Sequence, residues 1–191
     1  MHLEKTSLND VFILNKKIRK DDRGQFCRLY GIDELKKIGF DSKVSHVNSS
    51  LSLKAGTLRG IHFQYPPFSE CKIISCITGS IWDLAVDLRP NSKQRFEWFG
   101  VKLTPSNGKS LIVPEGFGHA FLSLEDNTNI IYVSSEIYSP EYESGIAFDD
   151  PLLNINWPIN PSFLSERDTS WGEIRTRLDE LSHGFSNYKK L

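Results

Sequence analysis

The sequence predicts an all-β fold, an antiparallel sandwich or barrel, built as one domain over residues 1–191. Three observations carry that expectation. Short apolar runs recur at near-regular spacing up to about residue 150, turn signals separate them, and almost no helical periodicity lies between them. At 191 residues the chain is long enough to bury one core, and it shows no internal repeat, low-complexity tract or linker.

Taken in order, the one early helical segment is "GIDELKKIGF", with Asp33 as N-cap, Leu35 and Ile38 as an apolar pair and Gly39 as the stop. "KIISCI" then reads as a strand closed by Thr78-Gly79-Ser80. "IWDLAVDL" alternates, with Trp82, Leu84, Val86 and Leu88 on one face and Asp83, Ala85 and Asp87 on the other. "FEWFGVKLT", "SLIVP", "HAFLSL" and "NIIYVSSEIY" follow, separated by Pro-, Gly- and Asn-containing turns. In the last of these, Tyr132 sits on the face opposite the core-like Ile131 and Val133. The polar tail from about residue 160 is expected to hold one helix, Trp171 to Leu181, with Ile174, Leu178 and Leu181 on a stripe.

Composition narrows the function. A net charge of −1 with 25% charged residues leaves no basic footprint for nucleic acid or an anionic membrane. No apolar run approaches the roughly 18–20 residues that span a bilayer, and "MHLEKTSLND" does not have the make-up of a signal peptide. Three cysteines without CxxC spacing point to a reducing cytoplasm rather than a disulfide framework.

One strand stands out. "GTLRGIHFQ" brings Arg59, His62 and Gln64 into a single extended run. Alternation puts His62 and Gln64 on one face and Arg59 on the other. His62 suits either a satisfied packing role or proton chemistry in a cavity. His119, in "GFGHAF", invites a metal reading, but no His-x-His occurs, and two histidines this far apart do not supply the three or four ligands of a transition metal. There is no Walker motif, no dinucleotide fingerprint and no GxSxG elbow. A phosphate would have to be gripped by side chains, with Arg59, Arg23 and Lys72 as candidates. Taken singly, Tyr132 reads equally well as a barrel-rim residue, Asp168 as a helix cap and Lys72 as a solvated strand end.

Together, "DDRGQF", "VNSSLSLKAGTLRGIHFQYPP", "CKIISCITGSIWDLAVDLRPNS", "LIVPEGFGHAFLSLED", "YSPEYESGIAFDDPLLNINWP" and "LSERD" closely resemble the nucleotide-sugar 3,5-epimerase family, across most of the chain and in order. The resemblance implies a cupin-type jelly-roll barrel without metal or other cofactor, usually a homodimer that exchanges terminal strands, acting on a nucleotide-linked 4-keto sugar. It assigns His62 as base, Asp168 as its partner, Lys72 as the enolate's cation and Tyr132 as the opposing acid. It extends substrate contacts to Arg59, Arg23, Phe26, Arg28, His46 and Asn48. Gln64, His119, Tyr138, Glu143 and Arg167 complete that set.

The chemistry explains the residue types. The hydrogens at C3 and C5 of a 4-keto sugar are both α to the carbonyl and therefore acidic. A neutral imidazole can take one near pH 7, and a carboxylate behind it fixes the tautomer. A cation stabilises the enolate oxygen, and inversion needs an acid on the opposite face. For Arg59 to share a site with His62, the strand must bulge, which Gly60 permits. Two departures from thymidine-using relatives, Arg28 for a Glu and His46-Val47-Asn48 for Gln-Asp-Asn, point to an altered nucleobase preference.

Overall fold

The computed structural model describes residues 1–37 and 43–186. The strands are β1 (His2–Lys5), β2 (Phe12–Asn15), β3 (Ile18–Asp21), β4 (Gly24–Cys27), β5 (His46–Ser52), β6 (Leu58–Gln64), β7 (Lys72–Thr78), β8 (Ile81–Asp87), β9 (Trp98–Leu103), β10 (Lys109–Val113), β11 (Phe117–Ser123), β12 (Thr128–Ser134) and β13 (Glu143–Gly145). Helix α1 (Ile32–Lys37) precedes β5; α2 (Glu166–Ser170), a 3-10 turn (Ile174–Thr176) and α3 (Leu178–Gly184) form the tail.

Two antiparallel sheets make the body, in the orders β1-β2-β10-β7-β12-β5 and β13-β6-β11-β8-β9, while β3 and β4 form a separate two-stranded hairpin. Between the sheets, Ile74, Leu111, Val113 and Ile130 of the first pack on Ile81, Ala85, Phe117 and Phe121 of the second. The outer faces are covered as well. Leu35 of α1 closes over Leu14, Ile73 and Ile112, and the tail lays Ile146, Leu153, Ile174, Leu181 and Phe185 over Ile61, Phe63, Leu84, Val86 and Ala120. Each fully buried Leu, Ile, Val or Phe among these contributes about 1.5–3 kcal/mol.

This layering settles the alternation of β8. Its apolar face, with Leu84 and Val86, lies under the tail, while Asp83 and Ala85 face inward with His119 and Phe121 of β11. Tyr132 does lie opposite Ile131 and Val133, but the inward face is the one that carries Tyr132. The inner face of β12 carries Ile130 and Tyr132, whereas Val133 packs outward against the Leu35 cluster.

Two helix expectations are also revised. Helix α1 begins at Ile32, so Asp33 lies in its first turn rather than capping it, where its charge still suits the helix dipole; Ile38 and the stop at Gly39 fall outside the described residues. The tail is not one helix from Trp171. Trp171 is extended after α2, and the Ile174 N–H donates to Asp150 Oδ2 at 2.6 Å. Arg177 is drawn to Gly145 O and Ser144 Oγ. These tertiary bonds break the helix into short pieces and leave Leu178 41% exposed while Ile174 and Leu181 are buried. β1 and β2 were not anticipated from the sequence; they extend the first sheet through the β2–β10 pairing.

Candidate active site

The site begins with an irregularity in β6. The β6–β11 register runs His62 opposite His119 and then Arg59 opposite Phe121, a slip of one residue around Gly60. Gly60 has φ +132°, and a Cβ there would lie 2.4 Å from the Ala120 Cβ. Only glycine fits this approach. The slip turns Arg59 to the same cavity as His62, as the expected bulge requires.

His62 Nε2 lies 2.5 Å from Asp168 Oδ1. Asp168 belongs to α2, which is capped by Ser165 and not by Asp168: the Ser165 Oγ accepts from the Asp168 N–H at 3.1 Å, and the Ser165 hydroxyl donates to Asp168 Oδ2 at 2.8 Å. Burial alone would raise the Asp168 carboxyl, but the hydrogen bonds from His62 and Ser165 outweigh it and hold the group below the usual carboxylate range. An ionised carboxylate can only accept, so Nε2 carries the hydrogen and Nδ1 is left as the basic nitrogen of a neutral ring. The Trp171 ring stands edge-on to His62, with centroids 6.3 Å apart.

Across the interior, Lys72 and Tyr132 sit diagonally on β7 and β12. The Lys72 side chain is 12% exposed rather than solvated, and its Nζ is 2.8 Å from Glu70 Oε1. The Tyr132 phenol is pushed up chiefly by burial and further by the Glu70 charge, with Arg59 opposing. His119 Nε2 meets Asp83 Oδ1 at 2.8 Å, and full burial raises the Asp83 carboxyl against the pull of His119.

Two adjoining cavities share His62, Lys72 and Tyr132. One, of about 290 Å³, adds Arg59, His119, Arg167 and Asp168. The other, of about 370 Å³, adds His46, Asn48, Gln64, Glu70, Tyr138 and Glu143. Arg167 and Tyr138 both bond to Glu143, which ties the rims of the two together. A larger cavity of about 830 Å³ lies against Asp10, Arg89 and Lys93, but its Arg89 is already tied to Asp10 and Asp87. Chemistry, not volume, selects the smaller pair. Among the described residues no group of three or more His, Cys, Asp or Glu side chains converges to hold a metal.

Four of the expected substrate contacts are engaged otherwise, or lie away from the cavities, within this chain. Gln64 has its amide fully engaged, donating to Phe68 O and Ile137 O and accepting from the Ser139 N–H, so it pins a loop. Arg23 pairs with Asp21 on the exposed β3–β4 hairpin, Phe26 of the same hairpin is exposed, and Arg28 pairs with Glu34. None of these three lines either cavity.

The family model described as dTDP-4-dehydrorhamnose 3,5-epimerase matches residues 5–176. The chain belongs to this family. A dTDP-4-dehydrorhamnose 3,5-epimerase from Methanothermobacter thermautotrophicus is 38% identical over 174 residues, covering 90% of this chain and 93% of its own. A dTDP-4-dehydrorhamnose 3-epimerase from Streptomyces niveus is 34% identical over 169 residues, covering 88% and 81%. The crystal structure of the Legionella pneumophila dTDP-6-deoxy-D-glucose-3,5-epimerase in complex with dTDP-4-keto-L-rhamnose is 31% identical, with a TM-score of 0.88 over 94% of this chain and 96% of that one. The chain is thus an epimerase, an isomerase by class, on a cupin-like jelly roll.

Within this epimerase, sequence reasoning missed three neighbours of the predicted residues. Asp83 left a signal, an acidic residue in the middle of an otherwise apolar stretch of β8, Ile81 to Val86. Glu70 left none, because it lies in a loop before β7. Trp171 was read as a helix start; it packs so closely on Gly145 that a Cβ there would meet the ring at 2.4 Å.

Proposed function

We propose that this epimerase inverts C3 and C5 of a dTDP-linked 4-keto-6-deoxy-hexose. The observation that carries the reading is the His62–Asp168 bond of 2.5 Å in a cavity shared with Lys72 and Tyr132. Asp168 holds the Nε2–H, so Nδ1 of His62 accepts the proton from C3 or C5. The electron pair left behind is delocalised onto O4, where the Lys72 ammonium donates to the enolate. The Tyr132 hydroxyl gives its proton to the opposite face, and solvent resets both groups. His119 and Arg59 contact the sugar and the pyrophosphate, and His46, Asn48, Tyr138, Glu143 and Arg167 the remainder of the nucleotide sugar.

The chain acts as one domain, in the cytoplasm, as a homodimer. β5 is an edge strand with Val47 63%, Leu51 53% and, just beyond it, Leu53 62% exposed, a surface suited to a second copy. In such a dimer the outlying hairpin can deliver Arg23 and Phe26 to the neighbouring cavity. Light scattering gives the oligomeric state.

Proton NMR in D₂O with dTDP-4-keto-6-deoxy-glucose tests the activity. Deuterium at both C3 and C5 with inverted product is expected. Exchange at one centre alone makes the enzyme a mono-epimerase, and no exchange with any nucleotide-linked 4-keto sugar ends the reading.

A further inference from the structure

Among the described residues, Glu70 is the one acidic group paired with the proposed enolate cation, and nothing in the epimerisation chemistry itself calls for it. Its carboxylate is only 14% exposed and has two different partners: Lys72 donates to Oε1 at 2.8 Å, and the Ser134 hydroxyl donates to Oε2. Ser134 is itself the Cα partner of Lys72 across β7 and β12. The carboxylate is therefore triangulated from two neighbouring strands, with Tyr132 two residues along the second.

We propose that Glu70 is a positioning residue that clamps the Lys72 ammonium beside Tyr132, so that a fixed cation meets the enolate oxygen. The inference rests on the proposed role of Lys72. Two physical reasons support it. A lysine side chain is rich in rotamers, and a clamp removes that freedom before substrate arrives. The charges around the ammonium also call for an anion. Arg59 and His62 face the site from β6, His119 from β11, Asp83 from β8, Tyr132 from β12 and Glu143 from β13. Of the three carboxylates other than Glu70, Glu143 is taken by Arg167 and Tyr138, Asp83 is bonded to His119, and Asp168, from α2, is bonded to His62.

A carboxylate in a cavity for an anionic substrate opposes binding, so the clamp separates kcat from KM. Glu70→Gln keeps the shape, removes the charge and frees the ammonium. Its kcat is expected to fall about tenfold or more while KM does not rise. The basic limb of its pH profile moves to lower pH, because the Glu70 charge, after burial, is what holds the Tyr132 phenol up. Glu70→Asp, which keeps the charge, retains that limb.

A second readout needs no turnover. Acylation of Lys72 by acetic anhydride, followed by peptide mass spectrometry, is expected to run about tenfold faster in Glu70→Gln, since the charge-assisted hydrogen bond to Oε1 no longer withholds the amine from the reagent. Equal acylation rates in the two proteins overturn the clamp, as does a raised KM with unchanged kcat. If the wild type exchanges no ring hydrogen, the proposed function fails, and the acylation rates alone decide whether Glu70 holds Lys72.

Discussion

His62 and His119 are direct Cα partners across β6 and β11, and each turns its Nε2 to a carboxylate from a different part of the chain. Asp168 comes from the tail and lies at 2.5 Å; Asp83 comes from the adjacent strand β8 and lies at 2.8 Å. Their environments push the two carboxyls apart, Asp168 down and Asp83 up. The His62 pair has the ionised carboxylate that a general base requires.

Replacing His62 by Ala is expected to slow exchange at both C3 and C5 by about 10²–10⁴-fold, the usual worth of a positioned base. Near-normal exchange at either carbon in D₂O would remove His62 from this role.

Asp168→Asn should keep the fold and sharply lower turnover, since an amide neither stabilises the imidazolium nor enforces the tautomer. The same carboxylate links stability to pH. Its folded pKa is depressed, so its contribution is complete above the ordinary carboxylate value of 3.8 and is lost as pH falls below that through the folded value. Urea unfolding of the wild type and Asp168→Asn between pH 7 and 3 should show a gap that narrows only at the acid end. A constant gap would contradict the linkage.

Tyr132→Phe separates proton removal from inversion. The ring keeps its packing, so stability should drop by no more than one hydrogen bond, about 0.5–1.5 kcal/mol. Deuterium should still enter the substrate with configuration retained, while inverted product falls steeply. Normal inversion by this variant would assign the acid to water or to another group.

Asp83→Asn addresses the second pair. Asp83 is wholly buried, its carboxyl is raised by that burial, and its Oδ2 has no hydrogen-bond partner among the described residues. A neutral amide relieves the cost of a buried charge, so melting temperature should hold or rise. Substrate affinity should weaken by roughly tenfold as His119 loses a charged acceptor. Calorimetry with the dTDP-sugar would show this; unchanged affinity would leave Asp83 a purely internal residue.

Gly60→Ala should destabilise the protein by at least about 1–3 kcal/mol, the usual strain of a left-handed backbone on a residue with a Cβ. The clash with Ala120 adds to this and should displace Arg59. A variant with wild-type urea midpoint and wild-type affinity for dTDP would show that the bulge has no part in building the site.

Much of the fold was legible because strand period and turn chemistry are local. β7, β8, β10, β11 and β12 fall close to where alternation and turn residues put them. His62 and Lys72 were visible as polar groups on apolar strands, and the bulge at Gly60 followed from asking how Arg59 and His62 could share a face. The partnership of His62 with Asp168 was not local: 106 residues separate them, and only the family resemblance joined them in advance.

By itself, then, the sequence determined the sandwich, the strands and the residue types of a proton-transfer site, all of which depend on short-range periodicity and composition. Only the tertiary structure decided which face of each strand became the interior. A period of two says that neighbours point opposite ways, but not which way is inward when both faces are covered. That choice turned Asp83 and Tyr132 inward and left Leu84 and Val86 under the tail. It likewise placed Glu70 on Lys72, because a loop residue acquires its partner only when the strands beside it are in register.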